Sequence, residues 1–287
     1  MGILPPDVRG GETADYFYLV NDPTMNNILC PTDLSPIALM GVHYADVLAT
    51  RLEGSITLLH VLSKQELKGD SRLHAKMAMD QQRSEVKTAP VDLKYLEGEF
   101  IREIARESTK DHRLMVCATH GLRGLRQSLF GADILKLVRR VEIPTVVVQG
   151  HSPESNDFKV IVMPVASHEH IDKLLTAISA LAKAFNSTVH IHHVIRPGES
   201  ASTELLANKV RMMEWLERED VEYVEVEEPA ERYSVGFAMA TITYAERVKA
   251  GCIAMMSMPS EEYRYIADAE KERLLMNEPG IPVLCAK

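Results

Sequence analysis

The chain has 287 residues, which suits two domains better than one at roughly 100–200 residues each, and its 46% hydrophobic and 25% charged residues are ordinary globular usage. That composition excludes a largely disordered or collagen-like chain, and the longest apolar runs, Ile143 to Val148 and Val160 to Ala166, fall far short of the ~20 residues of a membrane-spanning helix. A net charge of −9 repels a polyphosphate backbone, so nucleic acid is a poor partner. The start, Met1-Gly-Ile-Leu-Pro-Pro-Asp7, has neither the basic region nor the apolar core of a secretory signal. Four cysteines (Cys30, Cys117, Cys252, Cys285), none in a C-x-x-C pair, are too few for a disulfide framework. A reducing cytoplasm is the expected compartment.

Residues 1–25 lack sustained periodicity and read as an N-terminal extension. A first domain is expected over 26–150. Asn27 to Cys30 forms a strand that ends at Pro31, and Ser35-Pro36 supplies an N-cap and first-turn pair for a helix. That helix is expected to bury Ile37, Met40, Tyr44, Val47, Leu48 and Leu52 and to stop at Gly54. Strand Ser55–Leu62, a polar surface helix over 72–88, strand Val91–Leu96 and helix Phe100–Ser108 follow, then strand Leu114–Thr119, helix Ile134–Val141 and strand Thr145–Gln149. Alternating strands and helices with short links imply a parallel sheet covered on both faces. After the linker His151 to Asn156 the pattern restarts, and a second domain is expected over 157–287. Its strands fall at 160–164, 188–194, 221–226, 252–256 and 282–285, and its helices follow 167 and cover 202–218, 236–249 and 262–276.

The halves are an internal repeat. Pro31 matches Pro164 and His60-Val61 matches His193-Val194 at an offset of 133, whereas Thr119 matches Ser257 and Ile143-Pro144 matches Ile281-Pro282 at 138. A net five-residue insertion between His193 and Ala250 reconciles the offsets. The chain is thus two copies of a five-stranded α/β unit of ~130 residues.

Asn27-Ile-Leu-Cys-Pro-Thr-Asp33-Leu-Ser35 resembles the opening strand and Pro-x-Asp-x-Ser turn of the universal stress protein family. Leu58-Leu-His-Val61 is similar to that family's second strand, and Leu114 to Gly121, Gly131 and Ile143 to Val148 to its closing half. The resemblance implies two tandem Rossmann-like sheets in order 3-2-1-4-5, with an adenine-nucleotide crevice outside the carboxyl ends of the first and fourth strands. It places Pro31 and Asp33 in that crevice, Asp33 toward the ribose or adenine, and Val61 offering backbone atoms to adenine. It also implies that the last strands of the two copies, Thr145–Val148 and Pro282–Cys285, pair within one chain as a pseudo-dimer and cover each other's edge.

The family's ATP-binding members carry Gly, two residues, Gly, nine residues, Gly, then Ser or Thr, a loop whose backbone N–H groups approach phosphates closely. Mapped here, the first glycine is Ala118, the second is Gly121 after His120, Gly131 is retained, and Ala132 replaces the hydroxyl. Asp133 follows, where a carboxylate competes with a phosphate for the same N–H groups. Arg123, Gly124 and Arg126 supply phosphate-pairing groups; alternatively the glycines only shape the loop and the arginines are solvated. His120 reads as a loop anchor. In the second copy Asp33 becomes Ala166, Ala118 becomes Met256, Gly121 becomes Pro259, Gly131 becomes Ala269 and Ala132 becomes Glu270. Glu270 lies among Asp268, Glu272 and Glu261, and a phosphate there is opposed unless a cation intervenes.

Five histidines (His168, His170, His190, His192, His193) crowd the second copy. His190 and His192 share one strand face and His193 takes the other. A zinc site from His168 or His170 with His192 or His193 has only Glu169 as a nearby carboxylate; a polar loop plus a buried strand histidine is the commoner arrangement. Cys30 and Cys117 end neighbouring strands, where they can approach one another, but buried thiols are the default. Met255, Met256 and Met258 read as core filler, or as an adaptable pocket.

Three functions are weighed. The first is a non-catalytic stress-adaptation protein with a weakened site for ATP or another adenine nucleotide in the first copy, magnesium only accompanying the nucleotide. The second is a nucleotide-independent scaffold for a protein partner, with or without self-association. The third is a weak nucleotide hydrolase, supported by fold analogy alone, since no nucleophile–base pair and no metal-binding carboxylate cluster is visible in the first copy. No membrane partner is expected.

Overall fold

Ten strands alternate with helices along the chain in the computed structural model, which describes residues 27–119, 133–154, 157–195, 198, 200–229, 236–260 and 266–287. The first half contributes β1 (Asn27–Thr32), β2 (Ser55–Leu62), β3 (Val91–Glu97), β4 (Leu114–Thr119) and β5 (Thr145–Gln149). Its described helices are α1 (Ala38–Arg51), α2 (Gly69–Ser84), α3 (Phe100–Glu107) and α4 (Ile134–Arg140). The second half repeats the series as β6 (Val160–Pro164), β7 (Thr188–Ile195), β8 (Tyr223–Pro229), β9 (Cys252–Met256) and β10 (Val283–Ala286). Its helices are α5 (Asp172–Phe185), α6 (Thr203–Arg218), α7 (Ala238–Arg247) and α8 (Ala267–Leu275). All ten strands join one sheet in the order β3-β2-β1-β4-β5-β10-β9-β6-β7-β8. Each half has the expected 3-2-1-4-5 order.

The halves meet where β5 and β10 pair antiparallel, Val147 opposite Val283 and Thr145 opposite Cys285. This is the expected pseudo-dimer: the apolar last strand of each half has its exposed edge covered by the other. The central strands are apolar throughout because helices cover both faces. The true edges, β3 and β8, instead carry Asp92, Lys94 and Glu97, and Glu225, Glu227 and Glu228, charges that discourage edge-to-edge pairing. The two hydrophobic layers, one per face, each draw residues from both halves. Polar ties add to the seam. Gln149 Nε2 donates to Asn277 O at 2.9 Å, Ser152 Oγ to Gly280 O at 2.6 Å and Arg139 Nε to Ser257 O at 3.0 Å, while the Arg139 guanidinium pairs with Asp268.

Three expectations are corrected. β1 does not end at Pro31 but runs to Thr32, because Pro31 still pairs with Leu59 of β2. Val47 is not buried. α1 instead packs its small residues on the sheet: a Cβ at Gly41 would lie only 3.2 Å from Ala118 N, and this close approach turns Ala45, Leu48 and Ala49 inward and Val47 out. Gly54 is not the left-handed residue that stops α1. Glu53 takes φ 55°, and Gly54 N closes the turn on Ala49 O at 2.8 Å. The same turn, again without glycine, ends α5 at Asn186, α6 at Asp220 and α7 at Lys249. The default reading of the cysteines as buried thiols holds, and Cys30 and Cys117 do not face one another. They belong to the cores on opposite sides of the sheet, and all four cysteines are free and buried. Register also locates the insertion: Val91 corresponds to Tyr223 and Leu114 to Cys252, so the extra residues of the second half fall between β8 and β9.

Candidate functional site

The sheet splits at the same place in both halves. β1 pairs with β4 only at Ile28–Leu114 and Leu29–Met115, although it stays paired with β2 up to Thr32–His60. β6 pairs with β9 only at Ile161–Cys252 and Val162–Ile253. Beyond the split each leading strand carries a proline, Pro31 or Pro164, which has no N–H to lose when the neighbour diverges. A crevice therefore opens at the carboxyl ends of the inner strands, where neighbouring connections leave in opposite directions.

In the first crevice Asp33 is half-buried, and its Oδ1 accepts from Ser35 N at 3.0 Å. Its other oxygen has no partner among the described residues. Ser35 Oγ accepts from Ala38 N at 3.2 Å in the turn that leads into the helix, but the expected Ser35–Pro36 start is displaced: α1 begins at Ala38, with Ile37 as its N-cap and no side-chain cap. The buried Thr32 hydroxyl donates to Gln82 Oε1 at 2.6 Å and accepts from Leu34 N at 2.9 Å. His60 is buried, its Nδ1 2.9 Å from Thr32 O and its Nε2 3.3 Å from Glu66 Oε1. Burial pushes the Glu66 carboxyl up, but hydrogen bonds from Ser63 and the His60 ring outweigh it and hold the carboxyl low. Val61 is buried on β2, and Ala118 on β4 under Gly41 of α1. At the end of β4 the Thr119 hydroxyl is fully buried with no hydrogen-bond partner among the described residues.

The structure thus brings Pro31, Asp33, Val61 and Ala118 to one end of the sheet. His120, Gly121, Arg123, Gly124, Gly131 and Ala132 lie outside the described residues, as does the N-terminal extension. Sequence reasoning missed Thr32 and Gln82. The helix expected to lie polar on the surface buries Ala75, Met79 and Gln82, one face at helical spacing whose signal was obscured by the glutamine.

The second crevice has a different chemistry. A cavity of ≈ 70 Å³ opens there, lined in part by Ala166, His168, His192, His193, Glu270 and Lys271. Asn208 Nδ2 donates to Ala166 O at 2.8 Å and His168 O at 2.6 Å, fixing the turn that replaces Asp33. His190 and His192 do share a face, both against Tyr244: the His190 Nδ1 lies 2.7 Å from the tyrosine hydroxyl, and the His192 ring stacks on it at 4.5 Å. Glu270 is turned away from its acidic neighbours; its Oε2 accepts from Ala238 N at 2.7 Å at the start of α7. Met255 and Met256 are buried and Met258 is exposed. Among the described residues no group of three or more His, Cys, Asp or Glu side chains is placed to hold a metal, and no helix is long and apolar enough to cross a membrane.

With this geometry established, the family model described as the universal stress protein family matches residues 24–149. The chain carries a universal stress protein domain, followed by a second copy of its fold. A universal stress protein from Archaeoglobus fulgidus DSM 4304 is similar over 92% of this chain and 98% of its own, at 19% identity and a TM-score of 0.69. A functionally unknown protein from Pseudomonas aeruginosa PAO1 is similar over 92% and 93%, at 15% identity and 0.54. The cytoplasmic domain of a prokaryotic cation chloride cotransporter is similar over 91% and 94%, at 13% identity and 0.51. At these identities the likenesses establish the tandem fold. No curated protein sequence matches the chain.

Proposed function

We propose that this tandem universal stress protein is a non-catalytic regulatory protein of stress adaptation whose first domain, 26–150, binds an adenine nucleotide weakly, and whose second, 157–287, is its structural partner. The reading rests on one contrast. At the first split of the sheet Asp33 keeps a carboxylate oxygen without a partner among the described residues, and the Thr32–Gln82 pair and a Thr119 hydroxyl likewise without a described partner stand at the same sheet end. At the second split the equivalent position is Ala166. Pro31, Asp33, Val61 and Ala118 would line the adenosine end. His120, Gly121, Arg123, Gly124, Gly131 and Ala132 belong to the segment that would meet the phosphates. Ala118 and Ala132, standing where a glycine and a hydroxyl serve ATP, weaken the site rather than abolish it. A ligand that binds only the folded first domain raises its melting temperature by mass action.

The test is a thermal shift with ATP, ADP and AMP, with and without magnesium. An upshift lost in Asp33→Ala and kept in Ala166→Asp is expected. No shift at millimolar nucleotide overturns the reading in favour of a nucleotide-independent scaffold for a protein partner. Phosphate release no greater than that of Gly131→Glu is expected, and release well above that control would make the protein a hydrolase.

A further inference from the structure

Lys271, on α8, is 2% exposed. Its Nζ donates to Met256 O at 2.6 Å, and no carboxylate lies within ion-pair distance of it among the described residues. An ammonium carries three donors, so two remain without an acceptor. A buried charge in this state is costly unless something pairs with it. Lys271 also lines the ≈ 70 Å³ cavity of the second half. That wall holds His192, which is fully buried, with an Nδ1 that has no hydrogen-bond partner and an Nε2 3.5 Å from Glu228 Oε2. It also holds His193, whose Nδ1 lies 3.6 Å from Glu227 Oε1, and His168. Burial, and secondarily the charge on Lys271, push His168 down to about 3, so it stands neutral with an N–H to offer. The one carboxylate in the wall among the described residues, Glu270, is occupied by the N–H of Ala238, and Arg273 Nη1 lies 3.6 Å from its other oxygen. The remaining lining includes the apolar Leu205, Phe237 and Ile266.

We propose that this cavity binds a short-chain carboxylate, its head on Lys271 and the imidazoles of His168 and His192 and its alkyl part on the apolar wall. One unpaired cation matches a monoanion better than a phosphate dianion. At ~10–15 Å³ for each water-sized probe the space takes about five such probes, too few for a nucleotide. Burial lowers the Lys271 amine to about 8, so it stays largely charged at pH 7, and a bound anion would raise it again. The site is independent of the nucleotide crevice in the first half.

The experiment melts the full chain at pH 7 in acetate, propionate or inorganic phosphate against chloride at equal ionic strength. Acetate and propionate are expected to raise the midpoint by about 2 °C for each tenfold excess over Kd, with phosphate weaker. Lys271→Met, which exchanges a buried amine for an apolar side chain of similar length, is expected to melt at or above the wild-type midpoint in chloride and to lose the carboxylate response. If that variant fails to fold, amide NMR of the wild type decides: acetate should move Ala166, His168 and Ala267 and leave the first half unmoved. No response in the wild type, an undiminished response in Lys271→Met, or shifts confined to the first half would overturn the proposal.

Discussion

Asp46 stands on the buried face of α1, 7% exposed, among Val42, Ala45 and Ala49. It holds down the segment that enters β3. Its Oδ2 accepts from Lys87 N at 2.9 Å, and its Oδ1 from Thr88 N at 3.2 Å, Thr88 Oγ1 at 2.7 Å and Ala89 N at 2.9 Å. Hydrogen bonds to a charged acceptor contribute about 1.5–3 kcal/mol each, but they are not additive. Lys87 and Thr88 are exposed and can turn to water, whereas Ala89 is half-buried. Asp46→Ala should therefore cost about 2–4 kcal/mol, and Asp46→Asn, which keeps one acceptor oxygen and sets an amide against Lys87 N, about 1–2 kcal/mol. Burial pushes the carboxyl up, but the Thr88 hydroxyl and the three backbone N–H groups outweigh it, so its folded pKa lies below the model-peptide 3.8. A depressed carboxyl contributes its stability in full above the unfolded value and loses it as pH falls through the folded one. Urea melts of wild type and both variants from pH 7 down toward pH 3 check this. The gap between wild type and Asp46→Asn should be widest at pH 7 and should narrow below pH 4. An Asp46→Ala within 0.5 kcal/mol of wild type at pH 7, or an Asp46→Asn gap that ignores pH, refutes the assignment.

Three further outcomes are expected. Glu107 is 2% exposed and takes hydrogen bonds from Lys94, Lys110 and His112; burial raises its carboxyl, these partners lower it further, and it rests at about 2. Its contribution is complete above about pH 4.5 and fades toward pH 2, so Glu107→Gln should lose about 2–3 kcal/mol at pH 7 in denaturant melts, below the figure for a fully buried pair because both lysines reach water, and should converge with wild type in acid. Thr119→Val removes a buried hydroxyl that has no partner among the described residues, so the melting temperature should hold or rise while any nucleotide-induced upshift shrinks; a drop in stability of more than 1 kcal/mol without ligand would show that the hydroxyl is satisfied in the folded protein. A Cβ at Gly236 would collide with the Glu270 carboxylate, so Gly236→Ala should expel that side chain, free the Ala238 N–H at the start of α7 and cost about 1–2 kcal/mol, measurable as faster hydrogen exchange at Ala238 and its neighbours.

Much of the architecture was legible because it is local and periodic. Runs such as Val146–Val148 and Ile161–Met163 are apolar at every residue, as strands covered on both faces require, and the stripe Leu174, Leu175, Ile178, Leu181, Ala182 and Phe185 marks one face of α5. The repeat offsets then ordered both halves. Prediction weakened where small or polar residues do the packing. Helical spacing of the apolar residues puts Val47 in the buried set, yet Gly41, Ala45 and Ala49 are what let α1 approach β4. Gln82 and Asp46 read as surface residues until their partners across the fold, Thr32 and the 87–89 turn, come into view.

The sequence by itself determined the strand–helix alternation, the duplication, and the loss of Asp33 and of the glycines from the second copy, because each is a matter of residue type at a fixed spacing. Only the tertiary structure decided which charges are spent. Glu270, read in sequence as one of a repelling acidic group, caps α7, whereas Lys271 beside it is carried beneath the surface with a single acceptor. Adjacent positions on a helix lie about 100° apart, so one is turned toward a neighbouring helix end and the other toward the sheet, and no reading of their order along the chain separates the two environments.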